Sequence, residues 1–595
     1  MQNAVAFANN DLATIAWSYG KRPDGCMGFA LYRIDNKGNE TPLPSHAVFK
    51  GDAIKAGNTT EQFPIQKFYW KDPYARLVAE KTGNRKFRYK VVPLEGMPHH
   101  LKPMAHLPSI ITNEVVISSE MSLGVNAIFN RGLISTQRVS RAFNGKPSKG
   151  KLIPRISNEN DKLRASLSGD MPETLTGFVD RAKASGKIYA ALYELGDEEL
   201  IMKLEGLGKR LEIVLSNSVG EDKATKEKVD ANQPARDRLL KTAGKQQKYD
   251  RIMPSNHIGH NKFLVYVDKN GTAQACLFGS TNWTPTGLCA QTNNTIVVED
   301  AKLAARYLTY WKQLAADTKA ANGDPKLLQG AALRKFDSTG KDLSFSGGTS
   351  MASWFSPNTP KQRSSKPKNE KRPGDMDALV KCIDGAQHAI LFLAFYPGTP
   401  SIANWSAAAL KKNKTLFVRG CVTNKSASEG FYYELKGMTP PKKKKGEKKP
   451  AKQDPRVVGA DAFNGDVVPK GWTKEILNAG FAIIHDKIMV IDPFSDKCVV
   501  ATGSHNLGHK ASFNNDENFV IIEGNKKLAV AYASHVLDVY DHFSWRVSVK
   551  AKGQKNADQS LASTPDEWLD KYFDDNGEIR VAQLKFWMQA TAPTP

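Results

Sequence analysis

Two short runs of residues have the types and spacing needed to handle a phosphate group. One residue separates His260 from Lys262, and one residue separates His485 from Lys487, 225 positions further along the chain. Histidine is the side chain that titrates unassisted near neutral pH, and lysine supplies a positive charge that binds an anion. The repetition of the pair predicts one active site to which both copies contribute.

Each pair is followed by a Gly-Ser-x-Asn tetrad, which ends at Asn282 in the first copy and at Asn506 in the second. The spacing from Asp268 to the first tetrad glycine equals that from Asp492 to the second, 11 positions. Five residues separate lysine from aspartate in the first copy and four in the second. A one-residue bulge in the first strand would absorb this difference. The match predicts an internal duplication.

The duplication extends into the elements around the motifs. In each copy a helix precedes a strand, a second helix and a second strand, and a further strand and a long amphipathic helix follow the tetrad. Short apolar runs that alternate with helical periods indicate α/β units around a largely buried sheet. The predicted elements are strands at 188–194, 211–215, 389–395 and 415–421, and long helices at 301–314 and 527–543.

The motif His-x-Lys-x4-Asp with a following Gly-Ser-x-Asn resembles that of the phospholipase D superfamily, and the resemblance covers residues 105 to 550. It implies two pseudo-symmetric α/β halves packed around one cleft, and a phosphodiesterase that needs no metal ion or cofactor. The first copy departs from the motif by the extra residue before Asp268. The resemblance implies that Asp268 and Asp492 support the structure of the site and do not contact the substrate. Ser280 and Ser504 either donate hydrogen bonds to residues that support the site or only form hydrogen bonds within their own backbone turns.

The chemistry of a phosphodiester explains the other residue types. Lys262 and Lys487 would neutralise the charge of the phosphoryl group, and Asn282 and Asn506 would donate hydrogen bonds to its non-bridging oxygens. One imidazole would attack phosphorus and become phosphohistidine. The other would protonate the leaving oxygen and then deprotonate the water or alcohol that releases the intermediate.

One difference between the copies bears on the roles of the two histidines. Residue 293 is Asn, whereas the matching residue 517 is Glu. A carboxylate favours the protonated form of an imidazole that is hydrogen-bonded to it. We therefore expect Glu517 to support His485 as general acid and base, and Asn293 to orient His260 as nucleophile. The superfamily usually has the same order.

Smaller units flank the duplicated region. Residues 1–104 contain short strand-like runs separated by Gly, Pro and Asn turns, which predict a β-sandwich similar to a fibronectin type III or immunoglobulin-like module. The two halves are then predicted over 105–345 and 346–550. A capping box at Thr564, followed by aromatic residues, predicts that the extension 551–595 contains a helix that docks onto the body.

Composition bears on location and on cofactors. The N-terminus has neither a basic start nor a sustained apolar stretch, and no run approaches the roughly 18 apolar residues of a transmembrane helix. These features predict a cytoplasmic protein and leave leaderless secretion open. Because one chain carries both motif copies and can build the cleft alone, we expect a monomer. The six cysteines lack Cys-x-x-Cys spacing, so a zinc site is not indicated.

Charge is the feature that bears on the substrate. The formal net charge is +23, of which the segments 361–372 and 442–452 hold +5 and +6. Such runs cannot form a core; they are either solvated linkers or loops that gather a polyanion by releasing its counterions. The sequence thus favours a nuclease that acts through phosphohistidine. The alternatives are a phospholipase D or phosphatidyl transferase that binds anionic phospholipid, and a non-catalytic polyanion-binding protein.

Overall fold

The computed structural model describes most of the chain. None of the described helices is long and apolar enough to cross a membrane. The basic segments 361–372 and 442–452 lie outside the described residues except at their ends. The described residues are 3–45, 47–53, 55, 57–122, 124–132, 139, 142–143, 149–221, 228–244, 248–344, 349–361, 371–423, 425–441, 452–460, 484–552, 560–574 and 578–590.

The N-terminal domain consists of two antiparallel sheets that share a hydrophobic core. Its elements are β1 (Asn3–Ala8), β2 (Ala13–Ser18), β3 (Gly28–Ile34), β4 (Glu40–Pro42), β5 (Tyr69–Asp72), α1 (Ala75–Thr82), β6 (Lys86–Met97), β7 (His100–Pro103), β8 (Ile110–Ile111) and β9 (Val115–Val116). One sheet has the order β1-β2-β5 and the other β4-β3-β6-β7, with β8 and β9 also paired to β6. A small sheet domain was predicted here, whereas helix α1 was not. The resemblance to a fibronectin module stays a prediction.

The first half of the body follows. Its elements are β10 (Glu120–Ser122), β11 (Val125–Phe129), α2 (Lys149–Ile156), α3 (Lys162–Ser168), α4 (Met171–Ala184), β12 (Lys187–Leu192), α5 (Glu198–Glu205), β13 (Leu211–Ser216), β14 (Val219–Glu221), β15 (Lys228–Asp230), α6 (Gln233–Thr242), β16 (Lys248–Arg251), β17 (Lys262–Val267), β18 (Ala273–Gly279), α7 (Pro285–Cys289), β19 (Asn294–Val298), α8 (Ala301–Ala321) and α9 (Ala331–Asp337).

The second half and the C-terminal extension complete the chain. Their elements are β20 (Lys341–Ser344), β21 (Ser350–Ser356), α10 (Gly374–Asp384), β22 (Ala389–Ala394), α11 (Ile402–Lys412), β23 (Phe417–Val422), α12 (Lys425–Lys436), β24 (Val457–Gly459), β25 (Ile488–Ile491), β26 (Val499–Gly503), α13 (His509–Asn514), β27 (Glu517–Glu523), α14 (Lys526–Lys552), α15 (Pro565–Phe573) and α16 (Glu578–Met588).

The two halves are built on the same sheet. The first sheet has the order β10-β11-β19-β18-β17-β12-β13-β16, and the second has the order β20-β21-β27-β26-β25-β22-β23-β24. Strands in matching positions are also matched along the chain. Both sheets are mixed, because β12 and β13 run parallel whereas β12 and β17 run antiparallel. The predicted α/β class and pseudo-symmetric duplication are confirmed.

The long helices α8 and α14 lie in the core that joins the halves. Helix α8 begins where the Asp300 side chain accepts a hydrogen bond from the Leu303 amide, an N-cap. It buries apolar side chains at helical spacing, among them Tyr307 and Leu314, and these join one cluster with Val490 of β25 and Tyr532 of α14. Burial of a shared apolar core drives the halves together.

The extra residue of the first motif is accommodated differently from the prediction. Strand β17 pairs with β18 so that Tyr266 opposes Ala275 and Val267 opposes Ala273, which leaves Gln274 unpaired. The bulge therefore lies in β18 and not in the first strand, β17. The extra residue lengthens β17 instead, and its last residue, Val267, still pairs with Lys187 of β12.

The C-terminal helices dock onto the N-terminal domain. Trp568 of α15 is 3% exposed and packs between Phe29 and Phe68. Its indole Nε1 donates a 2.9 Å hydrogen bond to the carbonyl oxygen of Cys26. The predicted docking of this helix is thus observed, with the N-terminal domain as its partner.

The substitution Trp568→Ala should therefore destabilise the protein. It removes a buried aromatic side chain and leaves a cavity, which costs about 3 kcal/mol or more. We expect a lower urea midpoint in unfolding followed by circular dichroism. The control is Leu327→Ala, at a residue 60% exposed, for which a change within about 0.5 kcal/mol is expected. Equal midpoints for both variants would contradict the docking.

Candidate active site

The two histidines that lie 225 positions apart in the sequence face each other. The ring centroids of His260 and His485 are 6.2 Å apart, and their planes cross at 69°. Both side chains are buried. His260 lies just before β17 and His485 just before β25. Each histidine therefore precedes the strand that occupies the same position in its sheet.

The backbone of each half binds the segment that carries the other half's histidine. The amide of His260 donates to the carbonyl oxygen of Asp516 over 2.9 Å, and Asp516 donates in turn to Ile258 over 3.0 Å. On the other side of the pocket, the amide of His485 donates to the carbonyl oxygen of Thr292 over 3.1 Å. These bonds fix the distance between the two motifs.

The side chains that hold the imidazoles are also exchanged between the halves. His260 Nδ1 is 2.8 Å from Oε2 of Glu517, and His485 Nδ1 is 2.9 Å from Oδ1 of Asn293. The expectation that Glu517 supports His485 and that Asn293 orients His260 is therefore wrong. It assumed pairing within one half, whereas Asn293, just before β19, and Glu517, the first residue of β27, contact the histidine of the opposite half.

The hydrogen-bond partners determine which ring nitrogen carries the proton. His260 Nδ1 also lies 3.1 Å from the carbonyl oxygen of Ser504, which can only accept, so Nδ1 carries the hydrogen. The Nδ2 of Asn293 donates to Gly287, which leaves its Oδ1 as the acceptor for His485. Both Nε2 atoms therefore have free lone pairs when the rings are neutral.

The tetrads support these partners. Ser504 Oγ donates to Glu517 over 2.7 Å, and Ser280 Oγ donates to Asn293 over 2.9 Å. These serines are therefore not limited to closing their own turns. A side chain at Gly279 would collide with the Asn294 carbonyl oxygen, because a Cβ would stand 2.3 Å from it. The close approach of the two strands thus requires glycine.

The lysines line the pocket next to the histidines. Lys262 Nζ donates to the carbonyl oxygen of His260 over 2.8 Å and lies 5.1 Å from the ring centre of Tyr193. Lys487 binds His485 in the same way and lies 5.0 Å from the ring centre of Phe395. Both lysines are almost fully buried. The two ammonium groups give the pocket its affinity for an anion.

The sequence analysis missed three residues that line the pocket: Tyr193, Phe395 and Glu194. Tyr193 and Phe395 directly follow β12 and β22, and their rings pack against the imidazoles at 5.1 and 4.8 Å. Glu194 accepts a hydrogen bond from Asn282 Nδ2. Their positions at the carboxyl ends of two predicted strands were a signal that could have identified them.

The structure brings Asn282 to the pocket, where it contacts Glu194, but keeps the two aspartates away from it. The Oδ1 atoms of both tetrad asparagines are buried and have no partner among the described residues. Asp492 accepts hydrogen bonds from three backbone amides at residues 387 to 389, which ties β25 to the start of β22. Asp268 accepts from its own hairpin turn. The two aspartates brace different parts of the fold.

Burial and mutual repulsion disfavour positive charge in the pocket. Burial, followed by the charges of Lys262 and Lys487, lowers the pKa of both His260 and His485 well below its usual value. Burial also lowers the pKa of Lys262 to about 7, although Glu517 and Glu194 oppose this shift. A bound anion would relieve these costs, because it favours the protonated form of each group.

Comparison with protein families agrees with this geometry. A family model described as cardiolipin synthase, PLD-like domain, matches residues 180–315 and 379–538, one stretch in each half. Both stretches contain a histidine of the pocket. The chain belongs to the phospholipase D superfamily. None of the curated protein sequences matches it.

Solved structures of other superfamily members and of related enzymes are similar to this chain at low identity. Phosphatidylserine synthase of Haemophilus influenzae has 13% identity and a TM-score of 0.42, over 76% of this chain and 99% of that one. The Salmonella typhimurium phospholipase D family member Nuc has 19% identity and a TM-score of 0.21, over 33% and 95%. Yeast tyrosyl-DNA phosphodiesterase has 11% identity and a TM-score of 0.29, over 58% and 86%. None of these similarities bears on the substrate of this chain.

The depressed histidine pKa values of this superfamily member predict a stability that falls in acid. In the unfolded chain each histidine binds a proton below its ordinary pKa of 6.5, whereas the folded pocket binds it only at lower pH. The stabilisation is therefore complete above about pH 6.5 and is lost below it, by up to about 1.4 kcal/mol per pH unit and histidine.

Urea unfolding between pH 5 and 8 in chloride buffer would measure this effect. The variant His260→Gln/His485→Gln should lose less stability on acidification than the unsubstituted protein. The control is His257→Gln, because His257 binds Gln329 outside the pocket. The same pH dependence in the double variant and in the unsubstituted protein would contradict the prediction.

Proposed function

We propose that this protein is a metal-independent nuclease that cleaves phosphodiester bonds through a phosphohistidine intermediate. The observation that carries the proposal is the opposed pair His260 and His485, with ring centres 6.2 Å apart in a pocket that also contains two lysines. That separation leaves room for one phosphorus atom with a nitrogen on either side. Nucleophile and proton donor can then act in line.

In the first step, His260 Nε2 attacks phosphorus and the bond from phosphorus to the leaving oxygen breaks. The ring that forms carries a positive charge, and Glu517 accepts its Nδ1 hydrogen over 2.8 Å. A carboxylate therefore stabilises the phosphorylated ring. His485 gives its Nε2 proton to the leaving oxygen. Its partner Asn293 is a neutral amide, which retains that proton less strongly than a carboxylate would.

In the second step, a water molecule attacks phosphorus from the side that the leaving group vacated. His485 Nε2 takes the proton of that water, the bond from phosphorus to His260 breaks, and the phosphomonoester is released. Lys262 and Lys487 would stabilise the additional negative charge on the non-bridging oxygens, and Asn282 and Asn506 would donate hydrogen bonds to these oxygens. The contacts of Glu517 with His260 and of Asn293 with His485 thus support His260 as nucleophile and His485 as general acid and base. The sequence predicted the same roles from the opposite pairing.

Net charge favours nucleic acid as the substrate. The chain carries +23, and this charge suits a polyanion with closely spaced phosphates. A second candidate is transfer or hydrolysis of a glycerophospholipid. It is favoured by an apolar groove of about 390 Å³ between α11 and α12, lined by Trp405, Tyr433 and Met438. The loop that follows Phe395 contributes Thr399 and Pro400 to this groove, which would hold an acyl chain.

Trapping of the intermediate tests the roles of the histidines. In His485→Asn, a substrate with a good leaving group such as a p-nitrophenyl ester needs no acid, but water is no longer activated. We expect phosphate label to accumulate on His260, with turnover reduced about 10²-fold or more. Mass spectrometry of the acid-labile adduct would locate the label. Label on His260→Asn protein instead would reverse the proposed roles.

A panel of substrates in EDTA tests the substrate class. Plasmid, single-stranded DNA, RNA and phospholipid vesicles would be incubated with the protein and with His260→Asn as the inactive control. We expect cleavage of polynucleotide, and a rate at limiting substrate that falls steeply between 50 and 200 mM salt, because phosphate contacts release counterions. Products from the vesicles alone would favour the lipid candidate. Loss of all activity in EDTA would contradict metal independence.

A further inference from the structure

A carboxylate stands inside a pocket that otherwise suits an anion. Glu194 follows β12 and uses one oxygen to accept a hydrogen bond from Asn282 Nδ2 and the other to accept from Ser218 Oγ, at 3.2 Å. Asn282 is one of the proposed donors to the phosphoryl group. Glu194 is thus within one side chain of the place where a phosphate would bind.

The second half has no carboxylate at the matching position. Tyr193 and Phe395 occupy matching positions, since the first directly follows β12, the second directly follows β22, and each packs on a histidine. The next residue is Glu194 in the first half and Tyr396 in the second, and the Tyr396 side chain is 51% exposed. The duplicated architecture therefore does not need an acid here. The carboxylate of Glu194 therefore has a role that is specific to the first half's side of the pocket.

Lys262 and Lys487 act electrostatically on the Glu194 carboxyl. Burial raises the pKa of the Glu194 carboxyl, and the charges of the two lysines lower it. The hydrogen bonds that Glu194 accepts come from neutral groups, so nothing in them cancels its charge. The second acid of the pocket, Glu517, is in contrast 2.8 Å from His260.

A charge at this position acts more strongly on a doubly charged ligand than on a singly charged one. The Coulomb energy between two groups is proportional to the product of their charges. A phosphodiester is a monoanion, whereas a phosphomonoester and inorganic phosphate are mainly dianions at pH 8. The Glu194 carboxylate therefore repels a phosphomonoester or phosphate about twice as strongly as it repels a phosphodiester.

We propose that Glu194 determines the specificity of this pocket, by favouring monoanionic phosphodiesters over dianionic phosphate esters and phosphate. This inference rests on the proposed phosphodiesterase function and deepens it. Hydrolysis of the phosphohistidine intermediate yields a phosphomonoester, and Glu194 repels this product when it takes its second negative charge. The same residue thus selects the substrate and promotes release of the product.

The test is a comparison of two ligands by isothermal titration calorimetry at pH 8, where inorganic phosphate is mainly a dianion. Inorganic phosphate and dimethyl phosphate, a small diester, would be titrated into the unsubstituted protein, Glu194→Gln and Glu194→Ala. We expect both variants to bind phosphate about tenfold more tightly, because one close negative charge is removed, and to bind dimethyl phosphate with less than about threefold change. Glu194→Gln can still accept the hydrogen bond from Asn282.

The matched control is Glu212→Gln, which removes a carboxylate on β13 that is paired with Lys187 at 2.8 Å outside the pocket. It should leave both affinities unchanged. Equal phosphate affinity in the unsubstituted protein and the two Glu194 variants would overturn the proposal. Weaker binding of both ligands by the variants would also overturn it, because Glu194 would then act only by orienting Asn282.

The failure of this proposal can be told apart from failure of the proposed function. The titrations measure binding and need no turnover. A tenfold gain in phosphate affinity in a protein that cleaves no diester would support charge selection by Glu194 and reject the phosphodiesterase. Product inhibition adds a kinetic readout: in an active protein, Glu194→Gln should be inhibited by phosphate at about tenfold lower concentration, with KM for the diester changed less.

Discussion

Each histidine of the pocket is held by the half of the molecule to which it does not belong. Two imidazoles and two ammonium groups are buried there, and buried polar groups are costly unless they are hydrogen-bonded. The partners come across the interface, Glu517 for His260 and Asn293 for His485. Either half alone would leave a buried carboxylate or a histidine without its partner. The duplicated halves, the shared core and the long helices α8 and α14 all serve to keep this exchange in register.

The helix α14 connects the pocket to the N-terminal domain. His535 on this helix is 3.0 Å from Asp486, the residue between His485 and Lys487. One turn further on, Asp538 forms an ion pair with Lys71 of β5. In the first half the matching contact is uncharged, since Asn261 donates to the hydroxyl of Tyr310 on α8. The residue in the middle of each motif thus anchors its strand to a core helix, and in the second half that helix also carries the N-terminal domain.

Electrostatics favours the binding of an anion between the buried groups of the pocket. Burial and lysine charges lower the pKa values of both histidines and of Lys262, whereas burial raises that of Glu517. A phosphate ester brings the negative charge that these groups lack. The burial of these groups therefore lowers the stability of the fold, and anion binding offsets this cost. Perturbed pKa values of this kind are common at functional sites.

The sequence by itself determined the duplication, the α/β class and the residue types of the pocket, because these depend on periodicity and on spacing along one chain. His260, Lys262, His485 and Lys487 could be identified in this way, and so could the strands 188–194 and 389–395. Only the tertiary structure decided that Glu517 crosses to His260, that the bulge lies at Gln274, and that Glu194 enters the pocket. The contacts of Glu517 and Glu194 join segments far apart in sequence, and the bulge depends on the register between two paired strands. No local pattern encodes either.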